Sequence, residues 1–128
     1  MQTARLGIIG GTGLYSVEGM SNIQTLDLTT PFGKPSDAIT TGELGETKIA
    51  FLPRHGKGHH IAPGEIPSLA NICALKMIGV EQILAFNAVG SLREEICPGD
   101  IVIPDQFIDK TTRRRSSFFG DGLVAHIS

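Results

Sequence analysis

The sequence predicts an α/β fold, because strand-like and helix-like segments alternate along the chain. Short apolar runs without polar alternation, at residues 6–9 and 80–89, are typical of strands that are covered on both faces. Between them, residues 66–78 carry apolar side chains at helical spacing. A strand, a crossover helix and a second strand together favour an α/β sheet.

The first half of the chain predicts strands separated by turns. The strand at 6–9 ends at the glycine-rich stretch 10–13, and residues 15–33 are expected to contain strand and loop. Residues 30–35 (Thr-Pro-Phe-Gly-Lys-Pro) form a turn-rich connector, because proline fixes its own backbone and restricts the residue before it. Residues 37–41 and 47–52 can pair as a hairpin across 44–46.

The strongest helix prediction covers residues 66–78. Pro67 is tolerated in a first turn, Lys76 suits a last turn, and Gly79 is a natural stop. The residues expected on the buried face are Ile66, Ala70, Cys73, Ala74, Met77 and Ile78. A third apolar strand is predicted at 101–103, after a turn at 97–100. The final residues, 123–128, are mostly apolar, whereas complete domains usually end in polar residues. We therefore expect a C-terminal truncation inside a structural element.

Composition limits the function classes. A chain of 128 residues with 41% hydrophobic and 19% charged residues fits one globular domain. A net charge of −2 gives no general attraction to nucleic acid or anionic lipid, so neither is expected as a partner. No signal peptide or membrane span is predicted. Cys73 and Cys97 lack neighbours at metal-ligand spacing, and reduced thiols in a cytoplasmic protein are the expectation.

Three segments that follow apolar runs offer anion-binding groups. Residues 10–13 (Gly-Gly-Thr-Gly) offer backbone N–H groups and a hydroxyl, and 54–56 (Arg-His-Gly) offer a permanent cation and an imidazole. Residues 87–92 (Asn-Ala-Val-Gly-Ser-Leu) add an amide, further N–H groups and a hydroxyl. Ligands usually bind at the carboxyl edge of an α/β sheet, and a phosphate pocket is therefore predicted there.

Each segment also has a structural interpretation. Residues 10–13 could be only a tight turn, since their spacing matches neither a dinucleotide fingerprint nor a P-loop. Asn87 and Ser91 could make purely local turn hydrogen bonds. The loop after Arg54 could be a solvated basic loop, and Arg-His-Gly is similar to the nucleophile motif of phosphohistidine phosphatases. His55 and His59 are spaced for metal ligation, but intervening glycines disfavour the helix that would align them.

Other polar residues are expected to play structural parts. Arginines 113–115 are predicted to be solvated, and His126 lies in an apolar context typical of a core histidine. Aspartates 100, 105 and 109 are expected at turns and strand ends.

Taken in order, these motifs resemble the N-terminal part of the trimeric purine nucleoside phosphorylases, and most closely their methylthioadenosine-cleaving branch. The matching segments are 7–14, 30–37, 52–56, 70–72, 88–94, 98–100, 105–109 and 117–119, with His126. The resemblance implies a mixed central sheet with flanking helices, phosphorylase/hydrolase-like, with residues 1–128 as the N-terminal portion of a single domain. The helix carrying 70–72 would then serve packing.

The resemblance also implies an activity. It is phosphorolysis of S-methyl-5'-thioadenosine to adenine and 5-methylthioribose 1-phosphate, in purine and methionine salvage, without a cofactor or metal and with inorganic phosphate as co-substrate. The residues matching phosphate-binding positions are Thr12, Arg54, His55, Asn87 and Ala88. His126 matches a histidine that reaches the 5' group of the substrate in a neighbouring subunit of a homotrimer.

Two departures keep alternatives open. Asn87 stands where the family usually has threonine or serine, which is compatible with a 6-oxopurine nucleoside or methylthioinosine phosphorylase. Pro67-Ser68 replaces an Asn-aromatic pair. The resemblance places the ribose-binding methionine and the purine-contacting aspartate beyond residue 128, so the isolated chain is expected to be inactive and to expose apolar sheet surface. A catalytically inert, phosphate-binding fragment is the remaining alternative.

Overall fold

A computed structural model describes residues 4–112, 114–115, 117–120 and 122–126. Five strands form one sheet, and an α-helix preceded by a 3₁₀ turn at Pro63–Glu65 packs against it. The elements are β1 (Leu6–Gly10), β2 (Ser21–Leu26), β3 (Ile39–Leu44), β4 (Thr47–Pro53), α1 (Ser68–Met77) and β5 (Gln82–Ala85). The predicted α/β class with a mixed sheet is confirmed.

The order of the strands brings three carboxyl ends to one edge of the sheet. The order is β2-β3-β4-β1-β5, with β1 parallel to both β4 and β5. Gly10 lies opposite Pro53, and Ile9 lies opposite Ala85. The chain therefore leaves β4, β1 and β5 at the same edge, as predicted.

The other half of the sheet is antiparallel. β3 and β4 form the predicted hairpin, with Leu44 opposite Thr47. Gly45 in its turn has a φ of +61°, a conformation that glycine adopts without strain. β2 adds to the outer edge of β3, with a register irregularity between Ser21 and Gln24.

Strand β4 is buried on both faces, which explains its unbroken apolar sequence. Ile49 and Phe51 belong to one cluster, and the alternate residues Ala50 and Leu52 belong to the other. The first cluster is covered by the loop after β1 through Leu14, Val17 and Met20. The second is covered by α1 and the following turn through Ala74, Leu75, Ile78 and Val80.

Helix α1 is slightly shorter than predicted, and Pro67 is its N-cap residue rather than part of its first turn. Gly79 ends it as expected, with a φ of +92° and its N–H donated to the carbonyl of Lys76 at 3.0 Å. Burial of Asn71 in α1 supports the packing role predicted for residues 70–72, because its Oδ1 accepts the N–H of Ser36 at 2.7 Å.

The buried face of α1 is rotated from the predicted one. Ala70, Ala74 and Ile78 are buried as expected, but Met77 is 53% exposed and Cys73 is only half-buried. Asn71 and Leu75 take their places against the sheet. Leu75 belongs to the same buried cluster as Ala50 and Leu52 of β4, a contact that the apolar pattern alone does not predict.

Beyond β5 the chain forms no regular secondary structure in its described residues. The strand predicted at 80–89 is reduced to Gln82–Ala85, and the prediction that it is covered on both faces is wrong, because all four residues are exposed at the edge of the sheet. The strand predicted at 101–103 is absent, since no described strand pairs with it. Apolar side chains here are exposed, including Val89, Leu92, Ile101, Ile103, Phe107 and Ile108. Within the described ranges, no helix is long and apolar enough to span a membrane.

Candidate anion-binding site

Three loops meet at the shared carboxyl edge of β4, β1 and β5. The N–H of Arg54 donates to the carbonyl of Gly10, and the N–H of Phe86 donates to the carbonyl of Ile9, each at 3.0 Å. These bonds continue the parallel pairing past the strand ends. They bring residues 10–13, 54–56 and 86–87 together, as the apolar runs before them predicted.

The guanidinium of Arg54 lies directly against the first of these loops. Its Nη1 donates to the carbonyl of Phe86 at 2.7 Å. A Cβ placed on Gly11 would lie 2.3 Å from that Nη1 and 2.4 Å from the Phe86 oxygen. Only glycine allows this approach, so Gly11 is required by close contact rather than by flexibility.

Arg54 is a partly buried cation without a carboxylate partner. The ion pairs seen in the described part of the chain join Arg5 to Glu81, Lys34 to Asp27 and Arg93 to Glu95. The single bond to a carbonyl leaves further guanidinium N–H groups able to donate. An uncompensated guanidinium at a sheet edge is suited to an oxyanion.

The glycine-rich loop turns tightly beside this cation. The N–H of Leu14 donates to the carbonyl of Gly11 at 3.1 Å, and Gly13 has a φ of +89°. The tight-turn interpretation is therefore correct for the backbone of this loop. Thr12 is exposed at the tip, two residues after β1.

His55 is held in a fixed orientation. It is 5% exposed, and its Nδ1 lies 2.8 Å from the carbonyl oxygen of Ile61. Its ring stacks on that of His59, with centroids 4.4 Å apart and an interplanar angle of 26°. Among the described residues, no cluster of three or more His, Cys, Asp or Glu side chains could hold a metal ion.

A tyrosine that the sequence did not single out joins this loop to the glycine-rich loop. The hydroxyl of Tyr15 lies 3.1 Å from Nδ1 of His59, and the two rings meet edge to face at 6.1 Å. Tyr15 and Phe86 have no motif or spacing that marks them. Only the neighbouring positions of β1, β4 and β5 bring them to the site.

In the loop after β5, the side chains make local bonds. Nδ2 of Asn87 donates to the carbonyl of Ala85 at 3.3 Å, and the hydroxyl of Ser91 bonds the backbone of Arg93. The local-turn interpretation is thus observed for Asn87 and Ser91. Asn87 and Ala88 are exposed next to the edge, directly beyond Phe86.

The remaining candidates lie elsewhere. Asp100 accepts the N–H of Cys97 at 2.7 Å, which is the expected turn role. Asp109 accepts hydrogen bonds from the hydroxyl and N–H of Thr111, and these lower its pKa.

His126 is exposed, so the expectation of a core histidine is wrong: no neighbouring element packs over it among the described residues. Arg115 lies 6.0 Å from the Phe32 ring centroid, and Arg113 is outside the described residues.

The groups at this edge are chemically suited to a small oxyanion. The edge combines a guanidinium that has no ion-pair partner with a glycine-rich turn, and no carboxylate is among the groups that contact Arg54. Such groups bind an oxyanion by charge and by direct hydrogen bonds.

Comparison with known proteins identifies the class of this fold and site. Residues 5–128 match the family model of the phosphorylase superfamily, and the chain belongs to that superfamily. It is 56% identical over 125 residues to the S-methyl-5'-thioadenosine phosphorylase of Thermosynechococcus vestitus, covering 98% of this chain and 43% of that protein. It is 55% identical to the same enzyme of Hyperthermus butylicus, over 98% of this chain and 46% of that protein.

Comparison with solved structures leads to the same group of enzymes. A methylthioadenosine phosphorylase sourced from an Antarctic soil metagenomic library superposes with a TM-score of 0.92 at 52% identity, over 100% of this chain and 45% of that one. The methylthioadenosine phosphorylase of Schistosoma mansoni in complex with adenine gives a TM-score of 0.86 at 46% identity, over 93% and 43% of the two chains. The chain therefore spans less than half the length of these relatives.

Proposed function

We propose that this chain provides the phosphate site of a pentosyltransferase that cleaves S-methyl-5'-thioadenosine with inorganic phosphate. The products are adenine and 5-methylthioribose 1-phosphate. One observation carries the proposal: the guanidinium of Arg54, without a carboxylate partner in the described part of the chain, is held between Gly11 and the carbonyl of Phe86. Membership of the phosphorylase superfamily and the names of the relatives support it.

The geometry is suited to phosphorolysis because the nucleophile is an anion that must be held and oriented. Arg54 offers charge and a donor fork, and the turn at Gly11–Gly13 adds backbone N–H groups. Thr12, His55, Asn87 and Ala88 complete the proposed set at the same edge. Holding phosphate in line with the anomeric carbon replaces an encounter in solution with an intramolecular attack as the purine leaves. The bound phosphate dianion in turn stabilises the positive charge that develops on the sugar ring as the purine leaves.

Residues 1–128 are proposed as the N-terminal portion of a single phosphorylase domain that acts as a cytoplasmic homotrimer. In that assembly His126 contacts the 5' group of substrate bound by a neighbouring subunit, and its exposure here leaves its ring available for such a contact. No metal or organic cofactor is needed, since phosphate itself is the co-substrate. Nucleic acid and membranes are not proposed as partners.

Calorimetric titration with inorganic phosphate tests the proposal, with Arg93→Ala as a matched control for Arg54→Ala. Arg93 also carries a guanidinium, but it is exposed and paired with Glu95. Arg54→Ala removes at least one charge-assisted hydrogen bond, worth about 1.5–3 kcal/mol, and should weaken phosphate binding at least ~10-fold. Arg54→Lys keeps the charge but loses the fork, and should give an intermediate affinity.

The Arg93→Ala control defines the results that would contradict the proposed phosphate site. Arg93→Ala should bind phosphate like the unchanged chain. If both alanine variants lose affinity equally, the effect is general electrostatics and the site is not where we place it. If the folded, unchanged chain does not bind phosphate, the chain is an inert fragment and the proposal fails.

A further inference from the structure

We infer that Ser36 and Asp37 position the turn that carries Arg54, and that Arg54 needs them to bind phosphate at full affinity. The inference rests on the proposed phosphate site and adds two positioning residues to it. It follows from two hydrogen bonds that tie the segment before β3 to the two ends of one turn.

Arg54 and His55 occupy the central positions of a tight turn at residues 53–56, called the arginine turn below. The N–H of Gly56 donates to the carbonyl of Pro53 at 3.0 Å and closes the turn. Gly56 has a φ of +71°, and the residues that follow it, 57–60, are exposed. A short exposed loop that contains glycines loses much conformational entropy when it is fixed, so bonds from outside the loop are needed to hold it in one place.

Two consecutive side chains supply such bonds, one at each end of the arginine turn. The hydroxyl of Ser36, a buried residue, donates to the carbonyl of Pro53 at 2.8 Å. Oδ2 of Asp37 accepts the N–H of Lys57, the residue directly after the turn, at 2.6 Å. Arg54 lies between these two fixed points, so a shift of its backbone strains one of the two bonds.

The carboxylate of Asp37 serves backbone N–H groups and does not pair with Arg54. Its Oδ1 accepts the N–H of Ala38 at 2.8 Å, so both oxygens are engaged. By charge alone, a carboxylate on the segment next to a phosphate site opposes phosphate binding. Removal of Asp37 therefore separates two roles by sign: a carboxylate that acts only by its charge predicts tighter binding, and a positioning carboxylate predicts weaker binding.

Calorimetric titration with inorganic phosphate tests the inference, at a temperature where circular dichroism shows each variant folded. Asp37→Ala leaves the N–H of Lys57 without this partner and should weaken phosphate binding about fivefold. The loss is smaller than that in Arg54→Ala, because Arg54 is displaced and not removed. Ser36→Ala should weaken binding about two- to threefold, since Gly56 still donates to the carbonyl of Pro53. Asp37→Asn keeps an oxygen that can accept the N–H of Lys57 and should lose less than about twofold.

A double-mutant cycle with Arg54→Ala distinguishes positioning from a general structural role. If Asp37 acts through Arg54, Asp37→Ala should cost less than about twofold when it is made in the Arg54→Ala chain. A residue that acts independently of Arg54 would cost the same factor in both backgrounds.

Two controls accompany these variants. Asp100→Ala is the matched one, because the carboxylate of Asp100 also accepts a loop N–H, that of Cys97 at 2.7 Å, and carries the same charge. It should bind phosphate like the unchanged chain. Asn71→Ala removes the bond to the N–H of Ser36 but leaves both bonds to the arginine turn in place, so it should lower stability without lowering affinity.

The outcomes separate this inference from the proposed function. Phosphate binding that depends on Arg54 but is unchanged or tighter in Asp37→Ala overturns the positioning role and leaves the phosphate site standing. An equal loss in Asp100→Ala, or the same loss from Asp37→Ala with and without Arg54, does so too. Failure of phosphate to bind the folded, unchanged chain overturns both. If Asp37→Ala does not fold, Ser36→Ala decides in the same cycle: a loss that disappears in the Arg54→Ala chain establishes the positioning role, and no loss or an additive loss overturns it.

Discussion

Replacing Gly11 with alanine tests the closest contact of the site. A Cβ at this position would lie 2.4 Å from the carbonyl oxygen of Phe86 and 2.3 Å from Nη1 of Arg54. Ordinary contact begins at 3.4 Å, so the loop after β5 and the guanidinium must each move away by about 1 Å. The Phe86 oxygen belongs to the backbone, and no side-chain rotation relieves the overlap with it.

The size of the effect follows from what that movement breaks. The bond from Arg54 to Phe86 is charge-assisted and worth about 1.5–3 kcal/mol, while forced overpacking costs about 1–3 kcal/mol. With partial relaxation, we expect Gly11→Ala to lower the free energy of unfolding by about 2–3 kcal/mol. At a urea m-value of about 2 kcal/mol/M, the unfolding midpoint should fall by about 1–1.5 M.

Phosphate binding should suffer in the same variant, because Arg54 leaves its position. We expect a loss of at least ~10-fold in affinity by calorimetry, equivalent to about 1.4 kcal/mol. Gly90→Ala is the control: no atom lies within 4 Å of its added Cβ, and stability should change by less than about 0.5 kcal/mol. Unchanged phosphate affinity in Gly11→Ala, with a native unfolding midpoint, would refute the placement of Arg54 against this loop.

Two further variants separate packing from binding. Asn71→Ala leaves the buried N–H of Ser36 unpaired, and urea unfolding should show a loss of about 1–3 kcal/mol with phosphate affinity unchanged. Ile72→Ala, at a side chain that is 41% exposed, is its control; an equal loss there would contradict the role given to Asn71. Tyr15→Phe removes only the hydroxyl bond to His59, and stability should fall by less than about 1 kcal/mol. Nitrogen NMR of the His59 ring should nevertheless show a changed tautomer population, and an unaltered spectrum would argue against this bond.

Local sequence was sufficient to locate β1, β4 and β5 and the edge that they share, but it also predicted a strand at 101–103 that is absent. Apolar runs before residues 10, 54 and 87 marked strands, although the last of these, β5, is exposed and not buried, and parallel strands must end on one side of a sheet. The hairpin at β3–β4 and the stop at Gly79 likewise follow from turn and cap chemistry, which acts over a few residues. Arg54 and Gly11 were recognisable because their residue types suit an anion.

The contacts between those elements depend on the folded chain. Residue spacing does not reveal that the guanidinium of Arg54 lies on Gly11, that Tyr15 meets His59, or that Ile61 fixes the His55 ring. Nor does it give the rotation that buries Leu75 and leaves Met77 in solvent. Apolar pattern and turn chemistry are properties of neighbouring residues, whereas these contacts join residues on different strands and loops. They exist only once the sheet has set which strands lie side by side.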